Sequence, residues 1–312
     1  MKKTVEMTWF VKVALVLTLV VVWADRLESF SASDKTVLKP VESISHQHQN
    51  HIHGIGYDSQ NQRLFVATHY GIFIWQDNKL FQLGENRDDF MGFSLHPTNP
   101  NVIYTSGHPA GGGNMGVMKS EDGGMTFKPI FGGVSGETVD FHSMAISTAN
   151  PNVLYGFFQG KLYLSKNSGK SWQNALARGL AVEGFCFGVP CLSADSKSDR
   201  MVYAGTPKGL LVSNDFGENW STIQSELGPF AAVGVDPANP KRLLAFTKKL
   251  GVSLSQDGGK TWQGKNQGVK LSSREFIFAF AFDAKNLKHL FAATPEGVFR
   301  SSDGAESWKR IL

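Results

Sequence analysis

A chain of 312 residues with 41% hydrophobic and 19% charged residues has the balance of a globular protein and ample material for a core. Its formal net charge of +4, with no basic stripe interleaved with aromatics, excludes nucleic acid as the expected partner. The 33 glycines and 23 phenylalanines instead suit many short strands joined by tight turns.

At the N-terminus, Lys2 and Lys3 precede an apolar run from Val13 to Ala24, with Lys12 just upstream. A basic start, an apolar stretch of roughly 12 residues and small residues at its end describe an export signal. The run falls short of the about 20 apolar residues of a bilayer span. Residues 1–24 therefore read as a signal peptide cleaved after Val22-Trp23-Ala24, with an uncleaved membrane anchor as the alternative. Either way the bulk of the chain is expected outside the cytoplasm: secreted, periplasmic or held at the outer face of the membrane through this segment alone. Residues 25–45 are polar and unpatterned and read as a linker, leaving 46–312 for the folded domain. Cys186 and Cys191 are the two cysteines. In an exported chain they would form a disulfide, although closing so short a loop stabilises by only roughly 2 kcal/mol; two buried free thiols are the alternative.

After the linker the chain repeats. Five segments carry Ser-x-Asp-x-Gly-x-Thr/Ser-Trp or a close variant, centred on Asp122, Asn167, Asp215, Asp257 and Asp303. Four of them end in Trp172, Trp220, Trp262 and Trp308, and the first ends in Phe127. Their leading serines, at 120, 165, 213, 255 and 301, lie 45, 48, 42 and 46 residues apart. That period accommodates four strands and three turns, which is one propeller blade. Turns such as His96-Pro-Thr-Asn-Pro100 and Asp236-Pro-Ala-Asn-Pro240 recur between apolar strands upstream of each motif. Residues 51–84 repeat the plan without the motif, giving six units and an all-β, six-bladed propeller; a seventh blade would have to come from the linker.

These repeats resemble the Asp-box (BNR) propellers of sialidases, sortilin-type receptors and photosystem II assembly factors, and bacterial BNR proteins described as glycosylhydrolase-like. The resemblance covers roughly residues 49–312 and implies a fold more than a function, because the repeat serves enzymes, receptors and assembly factors alike. The motif's own role is structural: Asp or Asn caps a tight hairpin, Gly supplies a positive φ, and Trp packs between blades.

Chemistry is expected at the mouth where the innermost strands begin. When the units are aligned on their turns, His53, Met91 and His142 occupy equivalent starting positions in blades one to three. Two residues earlier, on the same strand face, stand His51, Asp89 and Asp140. The second strands return to the same mouth and end near His69 and His108. Five histidines, a methionine and two aspartates thus converge from adjacent blades, a donor set suited to a transition metal, copper or zinc. Met91, Asp89 and Asp140 would complete or orient the shell. His46 and His48 are close enough in sequence to join it. The alternative is a polar mouth whose histidines bind water and backbone. Gly111-Gly112-Gly113, just after His108, reads as a solvated hairpin rather than a phosphate loop.

The leading expectation is therefore a monomeric binding or assembly protein that engages a metal, a small ligand or another envelope protein through this mouth. A sialidase-like hydrolase would instead need an arginine cluster and paired carboxylates. Arg87, Arg178, Arg274, Glu137, Glu183, Glu275 and Tyr70 supply the residue types, but the Arg-Ile-Pro motif of sialidases is absent. A third possibility is a protein-interaction scaffold with an inert mouth.

Overall fold

The computed structural model describes residues 38–44, 51–134, 136–180, 191–273 and 275–312. The expected export segment, His46, His48, Glu183, Arg274 and Cys186, with the disulfide it would form, lie outside the described residues. No helix among the described residues is long and apolar enough to cross a membrane.

Six sheets of consecutive antiparallel strands follow one another along the chain. Blade one comprises Ile52–Asp58, Arg63–Thr68, Gly71–Gln76 and Lys79–Leu83. Blade two comprises Asp89–Leu95, Ile103–His108, Val117–Ser120 and Lys128–Phe131. The first strands of blades three to six are Ser143–Ile146, Cys191–Ala194, Phe230–Val235 and Ala279–Phe282. Each of these six strands contacts the first strands of the two neighbouring blades, and the last contacts the first, so the ring closes around a channel. This is the expected six-bladed propeller.

Why these segments pair is visible in their burial. The second strands, such as Leu64 to Thr68 and Val202–Thr206, are buried throughout. Sandwiched between adjacent blades, they are covered on both faces and so read as continuous apolar runs. The outermost strands, such as Gln173–Asn174 and Lys309–Arg310, are exposed and short. Ring closure rests on packing between blades six and one: Tyr57 stacks on Phe291 with ring centroids 4.7 Å apart, and Ile52 N–H donates to the Pro295 carbonyl at 2.9 Å.

One expectation is corrected. Leu38–Val41, assigned to the linker, is a strand at the outer edge of the blade-one sheet. Its sequence, Leu-Lys-Pro-Val, is too short to show alternation, and its proline is tolerated because an edge strand has a free N–H side.

The Ser-x-Asp motifs make the turns between third and fourth strands, at the channel end opposite the histidines. In blade five, Ser255 Oγ donates to Asp257 Oδ1 at 2.9 Å, and Gly259 N–H donates to Ser255 Oγ at 2.9 Å. Thr261 gives Asp257 its N–H at 2.9 Å and its hydroxyl at 2.6 Å. The Thr261 hydroxyl, chiefly, holds the Asp257 carboxyl down to about 2. Asp122, Asp215 and Asp303 cap their turns in the same way, and Asn167 does so as a neutral variant. Gly124, Gly169, Gly217 and Gly259 take φ between +80° and +91°; blade six places Ala305 there, at φ +82°. Trp172, Trp220, Trp262 and Trp308 pack in the seams against the preceding blades. Burying one such ring contributes roughly 4–6 kcal/mol gross. The motif residues are thus framework, and their distance from the mouth leaves them no part in its chemistry.

Candidate functional site

The mouth is built on strand ends whose positions the backbone fixes. Thr68 Oγ1 donates to the Gly71 carbonyl at 3.0 Å and accepts the Tyr70 N–H at 3.1 Å, closing the turn that carries His69. Thr206 and Thr294 close the matching turns of blades four and six. In blade two, Asp89 and His108 are register partners across the first hairpin. Ser106 Oγ accepts the Phe141 N–H at 2.9 Å, tying that hairpin to the segment bearing Asp140 and His142.

Two donor groups result. In the first, His69 Nδ1 lies 2.8 Å from Asp89 Oδ2, and His53 Nε2 lies 3.5 Å from Asp89 Oδ1. The His53 and His69 rings meet edge to face with centroids 4.2 Å apart. In the second, His142 Nε2 lies 2.5 Å from Asp140 Oδ2 and His108 Nε2 lies 3.4 Å from the same oxygen. Within each group, one ligand atom per residue lies within 4.8 Å of the others. No other group of three or more His, Cys, Asp or Glu side chains among the described residues meets that distance.

The second group poses a question of proton supply. Gly113 presents a carbonyl to His108 Nδ1 at 2.9 Å, and a carbonyl only accepts, so Nδ1 carries the proton. A neutral His108 then aims the lone pair of Nε2 at a carboxylate oxygen. A cation held between the two would make that approach favourable. Asp140 is buried, and its Oδ1 has no hydrogen-bond partner among the described residues.

His53 differs from its neighbours. Its side chain is 3% exposed, and burial, reinforced by the nearby His69, lowers its pKa to about 3 against the pull of Asp89. The contact to Asp89 is therefore between a neutral imidazole and a carboxylate near pH 7, not an ion pair.

His51 is exposed, its ring centroid 5.6 Å from that of His69, and it belongs to neither group. Met91 is buried and lines a channel cavity of about 200 Å³ together with His53 and His142. Phe93, Met144, Phe278 and Phe280 also line that cavity. Among the described residues, neither Arg87 nor Arg178 lines the channel cavity. Arg87 is spent on the Gly84 and Asn86 carbonyls, and Glu275 on Thr294 and Arg310. Nor do Glu137, Glu275 or Tyr70 line the cavity. Sequence reasoning missed the Gly113 carbonyl that orients His108; the glycine run beside it was the available signal, read as a solvated hairpin with a lid or ligand-approach loop as the alternative.

No protein-family model matches this chain. It is similar to a xyloglucanase of Paenibacillus sp, 32% identical over 122 residues, which are 36% of this chain and 12% of that protein. It is also similar to a probable oligoxyloglucan-reducing end-specific xyloglucanase of Neosartorya fischeri, 25% identical over 198 residues, which are 55% of this chain and 23% of that protein. The chain thus spans less than a quarter of the length of either relative. Among solved structures, the GH74 enzyme of Niastella koreensis superimposes with a TM-score of 0.58 at 18% identity, over 88% of this chain and 55% of that one. The propeller fold and a likeness to glycoside hydrolases of xyloglucan follow.

Proposed function

We propose that this protein is an extracytoplasmic propeller that binds a divalent transition metal at its channel mouth. His53, His69, His108, His142, Asp89 and Asp140 are the ligands; Met91 and His51 stand beside the site. The carrying observation is the approach of the His108 Nε2 lone pair to Asp140 with the Nδ1 proton already committed to Gly113. Nitrogen and carboxylate donors in this proportion suit zinc or copper(II). The donors rest on strand ends and short turns, so little ordering opposes binding. Elemental analysis of the full chain, purified without a polyhistidine tag and exposed to zinc or copper, tests the reading. Retained metal that falls in His142→Ala, with circular dichroism unchanged, is the expected result; a metal-free wild type would overturn it.

The similarity to xyloglucanases favours a second reading, a glycoside hydrolase in which Asp89 and Asp140 form the carboxylate pair. It requires turnover of xyloglucan oligosaccharides that persists in chelator and is abolished by Asp89→Asn or Asp140→Asn. Activity lost on chelation and restored by zinc would assign the two readings to one site.

A further inference from the structure

We infer that the mouth takes two metal ions, one in each donor group, an assignment that rests on the metal-binding reading above. Two ligands of a single ion can be no further apart than twice a metal–ligand bond, about 4.2 Å for nitrogen and oxygen donors. The six side chains do not form one group even at 4.8 Å; they form two groups of three. Tetrahedral donors at such bond lengths sit roughly 3.4 Å apart. The His53–Asp89 and His108–Asp140 separations, 3.5 and 3.4 Å, already have that value. The shorter His69–Asp89 and His142–Asp140 contacts, 2.8 and 2.5 Å, need only open by less than an ångström as an ion replaces the shared proton.

Each group offers two imidazoles and one carboxylate, leaving a fourth position for water or a small anion. His53 and His142, one from each group, line the same cavity with Met91, so both open positions are expected to face one chamber. The groups are also mechanically joined. Asp89 of the first and His108 of the second are register partners on one hairpin, with Cα atoms about 4.5–5.5 Å apart. Neighbouring dications repel, so the second ion binds more weakly than the first. The His108–Asp140–His142 group fills first, because the Gly113 carbonyl already fixes the tautomer and orientation of His108.

Zinc titration of the tag-free full chain by calorimetry, repeated with cobalt(II) and followed by its visible absorption, tests this. Two equivalents are expected, the second at least about tenfold weaker, each tenfold corresponding to about 1.4 kcal/mol. Asp89→Asn should remove the weaker equivalent alone and His142→Gln the tighter one. One equivalent in the wild type would overturn the two-ion assignment and leave the metal reading intact, whereas none would overturn both. The wild-type count needs no variant to fold. Loss of all metal from either folded variant would point to a single shared ion and also overturn the inference.

Discussion

His53 makes the metal-free protein acid-sensitive in a calculable way. In the unfolded chain it titrates near 6.5, whereas burial holds the folded value at about 3. Between those values the unfolded state binds the proton and the native state does not, so stability falls as pH falls from 6.5 towards 3. Above pH 7 the effect is absent. At pH 5 the linkage relation gives a loss of about 2 kcal/mol, rising to about 5 kcal/mol below pH 3. Denaturant unfolding in chelator at pH 8 and pH 5 measures it, with His53→Gln as the reference, because the other histidines and carboxylates are common to both proteins. The wild type should lose about 2 kcal/mol more than the variant over that interval. Equal losses, within about 0.5 kcal/mol, would show that His53 is not held neutral and would refute the burial argument.

Three framework predictions accompany it. Gly259→Ala places a Cβ 2.8 Å from Leu210 Cδ2 at φ +91°, and should cost about 2 kcal/mol or more in thermal unfolding. Ala305→Gly occupies the matching turn at φ +82° and should shift stability by less than about 1 kcal/mol, as relief of backbone strain offsets a lost buried methyl and a freer unfolded chain. Trp308→Ala removes a ring that is 4% exposed and donates to the Lys265 carbonyl at 3.0 Å; a loss of about 3–5 kcal/mol in chemical denaturation is expected.

The fold was legible because a blade cannot bury its faces alone and so repeats its devices. The spacing of the Ser-x-Asp turns, the Asn-Pro turns and the Trp seams all state the same four-strand unit. What escaped was whatever lacked repetition. Leu38–Val41 has no counterpart in other blades, and four residues with a central proline carry too little pattern to reveal an edge strand. The Thr-x-x-Gly turn of Thr68 to Gly71 does recur, at Thr206 to Gly209 and Thr294 to Gly297, yet its function in placing His69 shows only through its hydrogen bonds.

The site was legible in a narrower sense. Quasi-equivalent blades let an alignment give each residue its height on the ring, so His53, Asp89, Asp140 and His142 could be brought to one mouth from their turns alone. Alignment does not say towards which neighbouring blade a side chain leans. Asp89 leans to blade one and meets His53 and His69, while His108, its partner across the same hairpin, leans to blade three and meets Asp140. That divergence divides one apparent cluster into two and leaves His51 outside both. The same argument tells against a merely polar lining. A lining satisfied by protons would pair each carboxylate oxygen with a donor; Asp140 Oδ2 has His142 Nε2 beside it, yet the buried Asp140 Oδ1 has no partner among the described residues. On the reading proposed above, two imidazoles with one carboxylate on each side are the donor set that a metal ion would complete.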